Sequence, residues 1–168
     1  MSVSTDSLGI KQENIKLLTT SASPRDGEKW IQRMVEEYKI LVDYIAQNKE
    51  EGNDWISIES NENGTTWNGT CKHVYKGLTY EFQFQFDIQV IYPSAPPELA
   101  IPELEGKTVK MYRGGKICLS SHFAPLWARN QPHYGIAHLL ALGLAPWLAV
   151  EVPNLVEEGM IIHPSALK

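Results

Sequence analysis

The sequence predicts one α+β domain, in which an antiparallel β-meander packs against a long N-terminal helix and a second, central helix. Three observations lead to this class: a helical stripe of apolar residues near the N-terminus, a strand with strict two-residue alternation, and an apolar segment towards the C-terminus. A length of 168 residues suits a single domain. We assign residues 1–22 to a polar N-terminal extension and residues 23–168 to the domain.

The first helix is predicted to begin at Ser23-Pro24 and to end before Gly52. Serine caps helices, proline suits the first turn, and glycine suits the position after the last turn. Apolar side chains recur at helical spacing at Trp30, Met34, Tyr38, Leu41, Val42 and Ile45. This spacing is typical of a helix with one buried face, so the charged residues between, Glu36 and Glu37 among them, are expected to be solvated.

Three strands are predicted next. The strands Trp55 to Glu59 and Thr65 to Tyr75 flank an Asn-Glu-Asn-Gly segment that favours a hairpin turn. The third strand, Leu78 to Val90, places an apolar side chain at every second position and mainly polar ones between. Strict alternation is typical of an antiparallel strand with one face in the core and the other in water.

The rest of the chain is predicted to be a long loop and a buried helix. Residues 103–134 show no regular period, but their apolar side chains can anchor an ordered loop, and long ordered loops are usually functional. The helix is predicted from about Tyr134, bent near Pro146, with a tail from Pro153. Its apolar run from Ile136 to Val150 is shorter than the ~20 residues of a spanning helix, so we expect no membrane insertion.

Composition excludes several classes of function. A formal net charge of −5 argues against nucleic acid as the main partner, because neutralising phosphates needs a basic surface. Two cysteines, Cys71 and Cys118, are too few for a disulfide scaffold and fit a reducing compartment. The first residues lead into no signal-peptide core. We therefore expect a cytoplasmic protein, with the nucleus as a second location.

Cys118 is a candidate nucleophile in the long loop. It follows Gly114-Gly115 and has Lys110, Arg113 and Lys116 as its neighbours in sequence. Cations near a thiol favour the reactive thiolate, and glycines allow another chain to approach. The alternative is a small buried side chain with a packing role.

Other chemistries use the same residues. Four side chains could bind zinc: Cys71, His73, Cys118 and His122. Neither Cys–His pair has zinc-finger spacing, so we expect no metal and no other cofactor. A cysteine hydrolase would need a histidine base, for which the candidates are His122, His133 and His138. A phosphatase-like loop needs an arginine soon after the cysteine, and none is present.

Two motifs in order resemble the ubiquitin-conjugating enzyme family. Tyr92-Pro-Ser-Ala-Pro-Pro97 matches the YPxxPP segment after the third strand, and Gly115-Lys-Ile-Cys-Leu119 matches the GxICL loop of the nucleophile. The usual His-Pro-Asn triplet is replaced by Thr108-Val109-Lys110, and too few residues remain for the usual two C-terminal helices. With the runs KMYRGGKICL, PLWARN and PWLAVE, residues 24–162 resemble the divergent branch that conjugates ubiquitin-fold modifier.

The resemblance implies an activity. Cys118 would accept the modifier from an activating enzyme as a thioester and pass it to a lysine of a protein substrate, with a ligase as a further partner. A monomer is expected. The alternative is a non-catalytic module of the same fold that binds ubiquitin-like proteins, which the intact sequence around Cys118 disfavours.

The resemblance also suggests roles for other residues. Lys110 would stabilise the oxyanion or order the loop, and Thr108 and His122 would be secondary members of the site. Val109, in place of the family's usual alanine, is expected to tighten local packing. Loop ordering, or space for the modifier's tail in the case of the glycines, is implied for Tyr92, Pro93, Pro96, Pro97, Gly114 and Gly115.

Overall fold

The structure is a computed structural model that describes residues 15–167. Its main elements are α1 (Glu28–Glu50), β1 (Ile56–Ser60), β2 (Thr66–Tyr75), β3 (Leu78–Asp87), β4 (Met111–Tyr112), β5 (Lys116–Ile117), α2 (Ala124–Asn130) and α3 (Ile136–Glu157). The predicted α+β class and its order of helix, meander, loop and helix are confirmed. Within the described chain, α3 is followed only by a short 3-10 turn, Pro164–Leu167.

These elements form two compact units. The first unit contains the described residues up to Asp54, then Ile88–Pro97 and Leu119–Ala145. The second unit contains Trp55–Asp87, Glu98–Cys118 and the described residues from Pro146 onwards. The predicted boundary between an extension and a domain after residue 22 stays a prediction.

In the first unit, α1 begins later than predicted. Ser23 and Pro24 lie in a preceding turn, where the Ser23 amide donates to the Asp26 carboxylate at 2.7 Å, and Gly27 is the residue before the helix. The buried face of α1 is also rotated relative to the predicted stripe, because Tyr38 and Val42 are exposed. The buried positions are Trp30, Arg33, Met34, Glu37, Ile40 and Leu41.

The expectation that Glu37 is solvated is wrong. Glu37 and Arg33 are 1% and 0% exposed, and the Arg33 Nε–H donates to Glu37 Oε2 at 3.0 Å. The guanidinium also donates to the Tyr134 carbonyl at 2.7 Å and to the Tyr92 hydroxyl at 3.3 Å. Tyr92 in turn donates to Glu37, and the Ile136 amide at the start of α3 donates to Glu37 Oε1 at 2.9 Å. A buried ion pair is tolerated only with such hydrogen bonds.

In the second unit, β1, β2 and β3 form an antiparallel sheet in that order. The predicted alternation in β3 is confirmed, since Tyr80, Phe82, Phe84 and Phe86 are buried and the residues between them are exposed. The strand ends at Asp87 instead of Val90, and Val90 is exposed. The segment around Tyr92 belongs to the first unit and pairs with α1 side chains instead of a neighbouring strand.

At the edge of the sheet, Ala100 lies beside β3 as a single bridging residue. Ala100 exchanges two backbone hydrogen bonds with Gln85 of β3 and forms a bridge to Lys116 of β5. The following region is less irregular than predicted, because β4 and β5 pair as a small antiparallel hairpin and α2 forms a helix of seven residues. The hairpin is thereby attached to the edge of the meander.

The helix α3 is longer than predicted. It contains a π-helical segment, Leu139–Leu144, just before Pro146, and continues through Pro153 to Glu157. A proline costs one helical hydrogen bond, but here Val152 and Leu155 on either side are buried and hold the helix together. At 22 residues, α3 is long and apolar enough to cross a membrane, contrary to our length argument. However, most of its apolar stretch is buried inside the protein, as in the core helix of a globular fold.

Candidate active site

Cys118 directly follows the β4–β5 hairpin in the second unit. Met111 pairs with Ile117 and Tyr112 with Lys116, and a tight turn, Arg113–Gly115, joins the two strands. The hairpin is anchored by the Ile117 amide, which donates to the Leu99 carbonyl at 2.9 Å. Cys118 therefore directly follows an anchored strand. It is half-buried and so retains contact with solvent.

The turn requires glycine for a reason within this chain. Gly115 has a φ of 77°, and a Cβ atom there would lie 2.6 Å from the Ile101 carbonyl oxygen. Gly114 has a φ of 81° but open space where a Cβ would stand. Left-handed backbone and close approach both favour glycine. Contacts within the protein therefore explain Gly115. The prediction that a glycine leaves space for the modifier's tail remains for Gly114 alone.

A backbone hydrogen bond joins Lys110 and Cys118. The Cys118 amide donates to the Lys110 carbonyl at 2.9 Å, and the Trp147 Nε1–H donates to the same oxygen at 3.2 Å. The Lys110 amide donates to the Thr108 hydroxyl at 3.1 Å. Both amide donors are therefore already used within the protein.

Thr108 also contacts α3. Its hydroxyl donates to Glu151 Oε1 at 2.7 Å, and Glu151 is only 4% exposed. Trp147 and Glu151 lie within the PWLAVE run that resembles the family, but we had assigned neither of them a role. A signal was available, because Glu151 is an ionisable residue that directly follows the apolar run from Ile136 to Val150.

A hydroxyl group lies close to the sulfur of Cys118. The Tyr112 hydroxyl lies 3.5 Å from Cys118 Sγ, and either atom could be the donor. Tyr112 is itself exposed. Once the thiol loses its proton, the phenolic O–H would donate to the sulfur.

The second cysteine is in a different environment. Cys71 in β2 is completely buried. Burial raises the pKa of its thiol to about 12, with the nearby Glu103 carboxylate acting in the same direction. Such a thiol stays protonated and unreactive at neutral pH.

Lys110 and Lys116, two of the cations near Cys118 in sequence, differ in their ion pairs. Lys116 Nζ forms an ion pair with Glu98 at 2.7 Å, which offsets its charge. The Lys110 side chain is exposed, and its ammonium forms no ion pair with the residues that the structure describes. Val109 is 94% exposed. The expectation that Val109 tightens packing is therefore wrong, because its side chain has almost no neighbours.

The remaining site candidates lie in the first unit. Tyr92 is 2% exposed within the Arg33–Glu37 network, and the Pro93 carbonyl accepts from Trp127 Nε1 at 2.9 Å. Pro97 is buried and Pro96 is half-buried. These contacts hold the YPxxPP segment in place. His122 is exposed, with Nε2 at 3.4 Å from the Gly143 carbonyl oxygen.

The histidines considered as hydrolase bases have structural contacts. His133 Nδ1 lies 2.8 Å from the Leu18 carbonyl oxygen, and His138 Nδ1 accepts from the Gly135 amide at 3.0 Å. Over residues 15–167, no group of three or more His, Cys, Asp or Glu side chains is arranged to hold a metal ion.

Comparison with known proteins adds a strong similarity. A family model described as ubiquitin-fold modifier-conjugating enzyme 1 matches residues 10–162. A protein of that name from Drosophila willistoni is 57% identical over 158 residues, covering 94% of this chain and 96% of the relative. One from Salmo salar is 59% identical over 149 residues, covering 89% of each chain. Among solved structures, human ubiquitin-conjugating enzyme E2 G1 is 15% identical with a TM-score of 0.47, covering 67% of this chain and 93% of that one.

Proposed function

The chain belongs to the ubiquitin-fold modifier-conjugating enzyme family, and from that premise we propose that Cys118 carries the modifier as a thioester. The protein is a conjugating enzyme in the transfer of ubiquitin-fold modifier, and it works with an activating enzyme and a ligase. The proposal concerns how this chain performs that transfer.

In the first step the Cys118 thiolate attacks the carbonyl carbon of the thioester between the activating enzyme and the C-terminal glycine of the modifier. A tetrahedral oxyanion forms, the bond to the activating enzyme's sulfur breaks, and that sulfur leaves as a thiolate that takes up a proton. No redox change occurs, because one thioester replaces another.

In the second step a neutral lysine amine of the substrate attacks the carbonyl carbon of the new thioester. The C–S bond to Cys118 breaks, the amine nitrogen loses a proton to solvent or a nearby base, and an isopeptide bond remains. The Cys118 thiolate is regenerated. Each step needs a donor aimed at the oxyanion.

One observation carries the assignment to Cys118: the two cysteines differ in access. Cys118 is half-buried at the end of a held hairpin, with the Tyr112 hydroxyl 3.5 Å from its sulfur. Cys71 is completely buried, with its pKa raised by burial to about 12. Of the two cysteines, Cys118 is the one that a second protein can reach.

Lys110 is the proposed oxyanion donor. The amides of Lys110 and Cys118 are both used within the protein, which leaves the Lys110 ammonium as the donor this residue can offer. The flexible, exposed side chain can reach a carbonyl bound to Cys118. His122, exposed and beyond the nucleophile in sequence, is a weaker candidate for a contact with the incoming amine.

A charging assay tests the thioester. Purified protein is mixed with ATP, ubiquitin-fold modifier and its activating enzyme, with ubiquitin and its own activating enzyme in a parallel reaction. We expect an adduct with ubiquitin-fold modifier only, which a thiol reductant removes. Cys118→Ser should give an adduct that resists the reductant, because an oxyester replaces the thioester, and Cys71→Ala should charge normally.

Other outcomes decide against the proposal. An unchanged adduct in Cys118→Ser would place the thioester elsewhere. Folded wild-type protein that binds the modifier without any adduct would favour the non-catalytic binding module. An adduct with ubiquitin would overturn the specificity for ubiquitin-fold modifier.

We also propose a setting for the enzyme. The acceptors are lysines of protein substrates, and the chain acts as a monomer in the cytoplasm and in the nucleus. A chain with only two cysteines suits a reducing compartment. Light scattering of the purified protein tests the monomer, and fractionation of cells tests the compartments.

A further inference from the structure

Two side chains of α3 fix the backbone of Lys110, one at its carbonyl oxygen and the other, through Thr108, at its amide. Trp147 donates to its carbonyl at 3.2 Å. Glu151 accepts from Thr108 at 2.7 Å, and the Thr108 hydroxyl oxygen accepts from the Lys110 amide at 3.1 Å. Trp147 and Glu151 are four residues apart on a helix and so project from the same face.

The Lys110 amide sets the direction of this chain of hydrogen bonds. A backbone N–H only donates, whereas a hydroxyl has one proton to donate and lone pairs to accept. The Thr108 oxygen therefore accepts from Lys110, and its own proton is donated to Glu151. Without Glu151 the hydroxyl is free to rotate and to take a different donor or acceptor.

Burial indicates that Glu151 is present for this contact. It is 4% exposed on a largely apolar helix, where burying an unpaired carboxylate is unfavourable and an apolar side chain would fill the space. Glu157 on the same helix differs, because it is exposed and pairs with Lys76 at 3.0 Å. Glu157 therefore offers a matched control.

We propose that Glu151 is a positioning residue for transfer of the modifier. It orients the Thr108 hydroxyl, the hydroxyl holds the Lys110 amide, and the Lys110 carbonyl holds the Cys118 amide. This inference rests on the proposed function, because it assumes that Cys118 carries the thioester. Glu151 itself touches neither the sulfur nor the substrate.

Single-turnover discharge of the purified thioester onto free lysine tests the proposal. The variants are Thr108→Val, Glu151→Leu, their combination, Glu151→Gln and the control Glu157→Gln. The apolar single variants should lower the maximal rate roughly 10- to 100-fold, as small misplacements of reacting groups do. The lysine concentration at half-maximal rate should stay unchanged, since Glu151 does not contact the amine.

Two comparisons separate positioning from a general loss of structure. The double variant should be no slower than the slower single variant, because both substitutions break one chain of hydrogen bonds. Glu151→Gln should recover most of the rate, because its amide oxygen still accepts from Thr108, and Glu157→Gln should match the wild type. Thermal unfolding by circular dichroism identifies any unfolded variant, and Thr108→Val decides if Glu151→Leu does not fold.

Each failure has its own meaning. Folded Thr108→Val and Glu151→Leu proteins that discharge at the wild-type rate would overturn the inference and leave the proposed function intact. Rate losses that multiply in the double variant would also overturn it, because the residues would act independently. A wild-type protein that forms no thioester would overturn the proposed function and this inference together.

Discussion

At the scale of single residues, backbone amides are as informative as side chains around Cys118. From the sequence, Lys110 could provide a hydrogen-bond donor to the oxyanion in two ways. The donor could be its own ammonium or a backbone amide that it helps to place. The Lys110 amide donates to Thr108 and the Cys118 amide donates to Lys110. With both amides occupied, the ammonium is the donor whose removal should matter.

We therefore expect Lys110→Met to slow discharge of the thioester. The variant keeps the apolar stem and the backbone contacts but loses the charge. Removal of an oxyanion donor in an enclosed site costs 10²–10³ in rate, and solvent around the exposed Lys110 should reduce this to roughly tenfold. Single-turnover discharge onto free lysine measures it. Lys110→Arg should retain most of the rate.

The matched control is Lys107→Met. Lys107 also lies before the nucleophile, but its ammonium donates to the Met160 carbonyl at 3.2 Å. Equal rates for wild type and Lys110→Met would end the oxyanion role of the side chain. Equal losses in Lys107→Met and Lys110→Met would indicate a general effect of charge.

Residue-level prediction depends on determinants that are close in sequence. Cys118, its glycines and Lys110 fall within one loop, so their composition could be interpreted directly. Glu151 is 43 residues from Thr108. No local pattern connects a carboxylate in one helix to a hydroxyl in a distant loop, and the contact appears only when both are folded.

At the scale of elements, α1 shows how tertiary partners override a helical pattern. The period of 3.6 identified a helix correctly, but hydropathy placed Glu37 in water. Arg33 and Glu37 are buried because Tyr92 and Tyr134, 59 and 101 residues from Arg33, provide hydrogen bonds. Helix periodicity ranks residues by apolar character and so cannot identify a buried ion pair.

This network predicts a large effect on stability. Arg33→Met should lower the free energy of unfolding by about 3–5 kcal/mol, because it leaves the Glu37 carboxylate buried without its cation. Urea unfolding measures the loss. The exposed Arg25→Met serves as a control and should change stability by no more than about 0.5 kcal/mol.

A double variant checks the coupling. Arg33→Met combined with Glu37→Met should cost less than the sum of the two single variants, since neither charge is then left unpaired. Additive losses would mean that the two residues stabilise the protein separately. A small loss in Arg33→Met alone would contradict the importance of the pair.

At the scale of the whole molecule, stability should depend on pH through His138. This side chain is completely buried, and burial, followed by the charge of Arg33, lowers its pKa to about 4. In the unfolded chain the pKa is about 6.5. Between these values the unfolded state binds one more proton than the folded state, so stability falls as the pH falls from 6.5 to 4.

The expected loss from His138 is roughly 3 kcal/mol over this range. Urea unfolding at several pH values measures it in the wild type and in His138→Asn, whose side-chain oxygen can still accept from the Gly135 amide. The difference in unfolding free energy between the two proteins should decrease as the pH falls. A constant difference would mean that His138 does not titrate in this range.

The fold class was predictable because it depends on patterns that extend over many residues. Alternation in β3 and the helical period of α1 are repeated signals, and each tolerates a few exceptions. The ends of elements were less predictable. Pro153 lies inside α3 because buried neighbours outweigh one lost hydrogen bond, and that balance is decided by packing.

The Arg33–Glu37 network also bears on the order in which the first unit folds. Arg33 and Glu37 are four residues apart and can pair within an isolated α1, with both charges in water. The other partners of Arg33 include Tyr92, Pro132 and Tyr134, so the chain must close loops of 59, 99 and 101 residues before those hydrogen bonds form. Closing long loops has an entropic cost that is repaid only when the contacts are made. We therefore expect burial of the charged pair to wait for the segment entering α3.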